Sequence, residues 1–146
     1  MTLAAIPNKN IQIRRYPLKS AQTTVQGDGV YLDTNGDVLI CGADPATIAG
    51  FQMHDYNSNL DVDIYSSEVL VALAYSGSTF ILEATSAPTN ANEGIAYGGV
   101  FTSGANTIDL TDTTNTCYIL ERAITDWSDW NAGEVSVELD TRQFQA

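Results

Sequence analysis

The sequence predicts an all-β, single-domain protein, built as an antiparallel β-barrel or sandwich. A chain of 146 residues fits one domain with a real hydrophobic core. Only 16% of the residues are charged, and Thr, Asn, Ser and Gly supply most of the polar surface, which suits strands and turns better than helices. Short apolar or alternating runs also recur between turn residues along the chain, as in barrels and sandwiches.

The stretch 69–85 is the strongest of these runs. Its first seven residues are apolar, which predicts a strand buried on both faces. A turn at 76–78 then leads to a return strand, in which Phe80, Leu82 and Ala84 share one face. We therefore predict an antiparallel hairpin that joins a fully covered strand to a half-covered one.

Residues 30–41 predict an earlier hairpin. The Asn-Gly pair at 35–36 lies between two apolar runs and favours a type I′ turn. Asp33, Asn35 and Asp37 are similar to the opening of a calcium loop, but the glycine stands at the fourth position instead of the sixth, and no glutamate stands at the twelfth. The pattern therefore indicates a turn rather than a metal site.

A helical turn is predicted at 44–50, because Asp44 can cap it, Pro45 suits its first position and Gly50 can end it. Alternation or apolar runs predict further strands at 60–64, 94–102, 107–110, 117–124 and 135–139. The last of these has acidic or polar residues on one face, which we expect to be solvated. The Gly98-Gly99 pair inside a strand indicates a bulge or a close backbone approach.

The first 27 residues differ in charge from the rest of the chain. They hold four of the six basic residues and no acidic one, so residues 28–146 carry two basic against 18 acidic residues, a net charge of −16. We predict a basic, extended N-terminal arm (1–27) followed by the β domain (28–146). Ile11 and Ile13 alternate with polar residues and predict a short strand, which either lies on its own acidic domain or reaches a neighbouring subunit or an acidic partner.

The net charge of −12 also excludes classes of partner. An acidic domain has no sequence-independent attraction for nucleic acid or for an anionic membrane surface. No apolar run approaches the roughly 18 residues that a membrane-spanning helix needs. We therefore expect neither nucleic acid nor membrane among the partners.

Catalytic residues are scarce. His54 is the only histidine, which excludes metal sites with two histidines and leaves one candidate general base. Asp61 and Asp63 share a predicted strand face and could form a glycosidase-like pair, although a solvated strand face explains them more simply. Cys41 and Cys117 are expected to be buried thiols, and a single disulfide between them is the alternative. We expect no enzyme activity, no cofactor and no metal.

Trp127 and Trp130 are the strongest candidates for ligand binding. Their spacing of three would place them on one face of a helical turn. Such a pair could stack on a sugar, or it could pack on its own domain or at a subunit interface, where Trp is enriched. Both interpretations stay open.

The basic arm is followed by VYLDTNGDVLICGADPATIAGF and later by GGVFTSGANTIDLTDTTNTCYILER. This succession resembles the capsid decoration (cement, or head-stabilising) proteins of tailed bacteriophages. The resemblance implies a compact, β-tulip-like domain, a homotrimer assembled in the host cytoplasm and seated on the outside of the virion capsid, with the major capsid protein as partner. We place the hypothetical capsid contact on Ile11, Ile13, Arg14 and Arg15. The alternative is a carbohydrate- or receptor-binding module of a phage tail or fibre, carried by Trp127 and Trp130.

Overall fold

The computed structural model describes residues 4–19, 23–55, 68–102, 104–123 and 133–144. Within these ranges it contains strands and a single 3₁₀ turn, which confirms the all-β prediction. The strands are β1 (Ile6–Lys9), β2 (Gln12–Pro17), β3 (Gly29–Leu32), β4 (Val38–Ile40), β5 (Gly50–Gln52), β6 (Glu68–Leu73), β7 (Thr79–Ala84), β8 (Ala96–Thr102), β9 (Ala105–Asp109), β10 (Tyr118–Ala123) and β11 (Glu134–Leu139). The 3₁₀ turn spans Asn90–Asn92.

Five of the six strands of the first sheet (β7, β11, β10, β8 and β9) form a closed barrel, and β1 pairs with β7 as an additional strand. The strand order of this sheet is β1-β7-β11-β10-β8-β9, and β9 also pairs with β7. That closing pair is parallel and joins Glu83 to Thr107 and Ala84 to Ile108. The other pairs of this sheet are antiparallel.

The second sheet is antiparallel and nearly closed. Its order is β2-β6-β5-β3-β4. Beyond the end of β2, Leu18 forms a parallel bridge with Val38 of β4, and the Lys19 N–H donates to the Val38 carbonyl at 3.0 Å. Among the described residues, one bridge connects the two edges of this sheet.

Strand β6 lies between two hydrophobic clusters, as its apolar run predicts. Val69, Val71 and Leu73 belong to the cluster inside the second sheet, and Ala72 belongs to the larger cluster that fills the first barrel. All four side chains are fully buried. Because side chains alternate along a strand, one strand contributes to both cores.

The predicted hairpin between β6 and β7 is wrong. The two strands belong to different sheets and do not pair with each other. Gly77 takes a φ of 83°, a left-handed conformation that glycine adopts readily, and the turn carries the chain from one sheet to the next. Strand β7 is also buried on both faces from Thr79 to Leu82, instead of half-covered as expected.

The two sheets meet through an aromatic contact. Phe51 of β5 and Phe80 of β7 are fully buried, with ring centroids 4.8 Å apart in an edge-to-face arrangement. This geometry is favourable for aromatic pairs and adds to the burial of both rings. The contact therefore ties the second sheet to the barrel.

The hairpin at 30–41 is confirmed, but its turn type is not I′. The Gly36 N–H donates to the Asp33 carbonyl at 3.0 Å, and the Asp33 N–H donates to the Asp37 carbonyl at 3.0 Å. Gly36 has a φ of 81°, whereas Asn35 is not among the residues with positive φ. A type I′ turn needs both, so this turn uses the glycine alone, as in a bulged hairpin.

The helical turn predicted at 44–50 is absent from the structure. Asp44 has a φ of 47° and its carboxylate accepts a hydrogen bond from the Gly99 N–H instead of capping a helix. Gly50 is the first residue of β5, where an added Cβ would overlap the Ala72 carbonyl oxygen of β6. The glycine is therefore needed for close strand packing and not for a helix end.

The outer face of β11 was expected to be solvated, and this is wrong for its first half. Glu134 and Ser136 are buried. The Ser136 hydroxyl donates to Glu121 Oε2 at 3.0 Å, and Ser136 lies opposite Ile81 in the sheet. Pairing and packing with neighbours thus cover polar residues that alternation alone assigns to solvent.

Gly50→Ala tests the packing of β5 against β6. We expect it to lower the free energy of unfolding by roughly 3 kcal/mol, because a methyl group has no room beside the Ala72 carbonyl. Gly42→Ala is the matched control, since no atom lies within 4 Å of an added Cβ there. Urea denaturation measures both variants, and equal midpoints would contradict the described packing.

Candidate functional site

The N-terminal segment forms an edge strand of each sheet. Strand β1 pairs with β7, from Ile6 opposite Ile81 onwards. Strand β2 pairs with β6 over six residues, from Gln12 opposite Leu73 to Pro17 opposite Glu68. This part of the basic segment is therefore paired with its own domain.

A hydrogen-bonded clamp holds the corner between β1 and β2. Asn10 has a φ of 56°, and its Nδ2 donates to the Gly77 carbonyl at 3.1 Å. The buried Ser78 hydroxyl donates to the Asn10 carbonyl at 2.6 Å and accepts from the Tyr75 N–H at 2.9 Å. The arm thus changes sheets at the point where the chain passes from β6 to β7, which fixes the position of β2.

Strand β2 presents an apolar and cationic surface, which we call the edge surface and define as Ile13, Arg14 and Arg15. Ile13 is 54% exposed, the largest value among the exposed large apolar side chains of the described residues. Both arginines are exposed as well. An exposed edge strand is the element to which an extended segment of another molecule can add a strand.

Both arginines make contacts with side chains of β2 and β6. Arg14 donates to Gln12 Oε1 at 3.3 Å. Arg15 Nε lies 3.7 Å from Glu68 Oε2, and both side chains of this pair are partly exposed. A partly exposed pair of this kind contributes at most about 1 kcal/mol.

Ile11, the fourth residue of the predicted capsid contact, has a different role in the structure. It is half-buried and packs against the cluster that fills the barrel. Its burial helps to hold the arm on the domain. The structure therefore exposes Ile13, Arg14 and Arg15 along one edge strand, with Ile13 and Arg15 on one face and Arg14 on the other, whereas Ile11 is half-buried.

A carboxylate corner lies elsewhere, at the paired glycines of β8. Asp44 Oδ1 accepts from the Gly99 N–H at 2.6 Å, and the Asp112 carbonyl accepts from the Gly98 N–H at 2.9 Å. A Cβ on Gly98 would overlap both carboxylates. The close backbone approach predicted for this pair is confirmed, and no sequence signal identified the two aspartates that approach it.

Neighbouring carboxylates in this corner serve as turn caps. The Thr111 hydroxyl and N–H donate to Asp109 Oδ1 at 2.7 and 2.9 Å, and these bonds lower the pKa of Asp109. The N–H and hydroxyl of Thr114 lower the pKa of Asp112 in the same way. Their acceptor capacity is largely used within the turn.

His54 has a structural role. Its Nε2 accepts a hydrogen bond from the Leu70 N–H at 3.1 Å, so the proton of the neutral ring is on Nδ1, which lies 2.9 Å from the Asp55 carbonyl. Both ring nitrogens are thus engaged by the backbone. This arrangement orders the connection after β5 and offers no nitrogen to a substrate.

Cys41 and Cys117 are buried free thiols, as expected. Burial raises the pKa of Cys41 to about 12. Burial, with a contribution from Asp44, likewise raises the pKa of Cys117 to about 12. At neutral pH neither side chain forms the thiolate that nucleophilic chemistry requires.

An open groove of about 550 Å³ runs between the β3–β4 hairpin and residues 45–47. Tyr31, Leu32 and Ile40 form much of its lining, and no charged side chain of the described residues lines it. Its volume falls in the range of small-molecule sites, but it lacks the converging polar groups that orient a ligand.

The remaining predictions lie outside the described residues. These are the tryptophan pair, Trp127 and Trp130, the strand at 60–64, and the carboxylate pair on that strand, Asp61 and Asp63. In the ranges that the structure describes, no group of three or more His, Cys, Asp or Glu side chains is placed to hold a metal ion. No helix in those ranges is long and apolar enough to span a membrane.

Comparison with known proteins adds no family assignment. The chain matches no protein-family model, and no curated protein matches it.

Ser78→Ala tests the clamp at the corner. Loss of the buried hydroxyl leaves the Asn10 carbonyl and the Tyr75 N–H without this partner, which should lower the free energy of unfolding by about 2 kcal/mol. Ser76→Ala, at an exposed position in the same turn, should be neutral. Urea denaturation measures both, and a stable Ser78→Ala variant would show that the clamp does not hold the arm.

The lowered carboxylate pKa values predict acid sensitivity of the 109–115 turn. A carboxylate whose pKa is lowered on folding stabilises the native state at pH values above about 4, the pKa of an unfolded aspartate. This stabilisation is lost as the pH falls through the lowered pKa of the folded state. Backbone amides of 109–115 should therefore exchange faster below about pH 4 relative to the amides of β6. Asp109→Asn should flatten that dependence, which NMR hydrogen exchange can measure; an unchanged profile would refute the assignment.

Proposed function

We propose that this protein is a non-enzymatic structural component of a phage virion, which binds the outer surface of the capsid and stabilises the head. The observation that carries the proposal is the edge surface: a basic, partly apolar strand on a domain that is otherwise strongly acidic. A reinforcing protein needs an adhesive surface on a rigid support, and it needs no catalytic group.

The domain holds strand β2, which carries the edge surface, in a fixed position. Strand β2 is held by six residue pairs with β6, and β6 is buried in two hydrophobic clusters. The clamp at Asn10 and Ser78 fixes the start of the strand. A strand positioned in this way loses little conformational freedom on binding, which favours affinity.

Charge supports the same proposal. Residues 28–146 have a net charge of −16, which keeps the domain soluble and repels nucleic acid, as an exterior location requires. The cationic edge surface then attracts an acidic patch of a capsid subunit. We include a homotrimer in the proposal, because three copies at a symmetric position multiply weak contacts into avidity.

Co-sedimentation with purified phage heads tests this function. The full chain should bind heads of the phage whose genome encodes it, saturably and at a fixed ratio to the major capsid protein. It should not bind unassembled capsid subunits to the same extent. Absence from purified virions, together with no binding to heads, would overturn the proposal; glycan binding lost on Trp127→Ala would favour the carbohydrate-binding alternative instead.

The double variant Arg14→Glu, Arg15→Glu should weaken head binding by at least about tenfold at low salt, because each reversal replaces attraction by repulsion. Arg122→Glu is the control, since it reverses an exposed cation on β10, away from the edge surface, and it is compared with each single variant so that the change in charge is the same. Binding isotherms at two ionic strengths measure the effect. Equal losses in the two variants would place the charge effect outside the edge surface.

A further inference from the structure

The outer edge of β2 has the geometry of a strand acceptor. We propose that it pairs with an extended, carboxylate-bearing segment of the binding partner, through the main chain of Ile13. The identity of that partner as a capsid subunit rests on the proposed function, whereas the pairing itself is argued from the geometry of β2.

The direction of the Ile13 main chain follows from its neighbours. Leu70 of β6 directs both main-chain groups away from β2: its N–H donates to His54 Nε2 at 3.1 Å and its carbonyl accepts from the Met53 N–H at 3.0 Å. Main-chain direction alternates along a strand, so Val71 faces β2 and meets Arg14, its partner in the register. Ile13, one residue before Arg14, therefore directs its N–H and carbonyl away from β6.

Pro17 agrees with this alternation. It is four residues from Ile13 and so has the same direction, and it lacks an N–H. A proline on an edge strand is tolerated where the missing N–H would face outward. The outward direction of Ile13 thus has two independent supports.

This outer edge is open along β2 in the part of the chain that the structure describes. There β6 is the one strand that pairs with β2. The second sheet closes on β4 only beyond the end of β2, at the bridge between Leu18 and Val38. Among the described residues, no strand occupies the edge around Ile13.

The charges of the edge surface indicate which kind of strand can pair with β2. A second copy pairing antiparallel through β2, centred on Arg14, would set that arginine against its equivalent, and like charges directly opposite each other are destabilising. Arg14 favours a carboxylate at the position opposite it, and the exposed Ile13 favours an apolar side chain opposite it. The expected occupant is thus an acidic strand with alternating apolar residues.

Ile13→Pro is the decisive variant, because it removes an N–H that points away from β6 and leaves the ladder with β6 intact. Ile13→Thr is the matched control, since it shortens the side chain and keeps the N–H. With phage heads, Ile13→Pro should bind at least about tenfold more weakly than Ile13→Thr. Thermal unfolding of both variants checks that they remain folded, and equal head binding by the two folded variants would overturn the proposal.

A second readout does not depend on the proposed function. The probe is an acetylated hexapeptide of alternating valine and glutamate at millimolar concentration, with the valine–lysine peptide as control. NMR titration of the full chain should move the Ile13 amide resonance with the acidic peptide and leave it unmoved with the basic one. If the resonance does not move with the acidic peptide, the strand-acceptor proposal is wrong. If it moves but the protein fails to bind heads, the proposed function fails and the acceptor edge stands.

Discussion

The alternating burial of β6 is the constraint on which the rest of the structure depends. Val69, Val71 and Leu73 fill one core, and Ala72 lies in the other. Since one strand serves both clusters, neither sheet can shift without exposing apolar surface of the other. A one-residue slip would exchange the two faces, so the register of β6 is strongly specified.

The position of the candidate surface is a consequence of that constraint. Strand β2 lies on β6, and the clamp between Asn10 and Ser78 sets where it begins. The arm therefore presents Ile13 and the two arginines from a fixed edge instead of from a loose tail. The same pairing explains why Ile11 is half-buried and contributes to anchoring the arm.

The sequence predicted the features that depend on residues close together in the chain. The apolar run of β6 predicted its burial on both faces, and Gly36 marked a real hairpin. The predicted type I′ turn of this hairpin was wrong, because only the glycine has a positive φ. The passage of β6 and β7 into different sheets could not be predicted, because a Gly turn between two strands looks the same in a hairpin and in a sheet-to-sheet corner.

The prediction of a helical turn at Asp44 was wrong because the carboxylate accepts a hydrogen bond from a residue distant in sequence, the Gly99 N–H. For the candidate surface, charge and alternation predicted Ile13, Arg14 and Arg15, which are exposed in the structure, whereas the burial of Ile11 depends on a tertiary contact.

The most direct measurement of the central claim is a cryo-electron microscopy map of phage heads with the protein bound. The account predicts that the domain sits with β2 towards the capsid surface and that density for one additional strand runs beside Ile13. A map in which the protein is bound with β2 facing solvent would contradict it, and the contact would then have to be sought on another face of the domain.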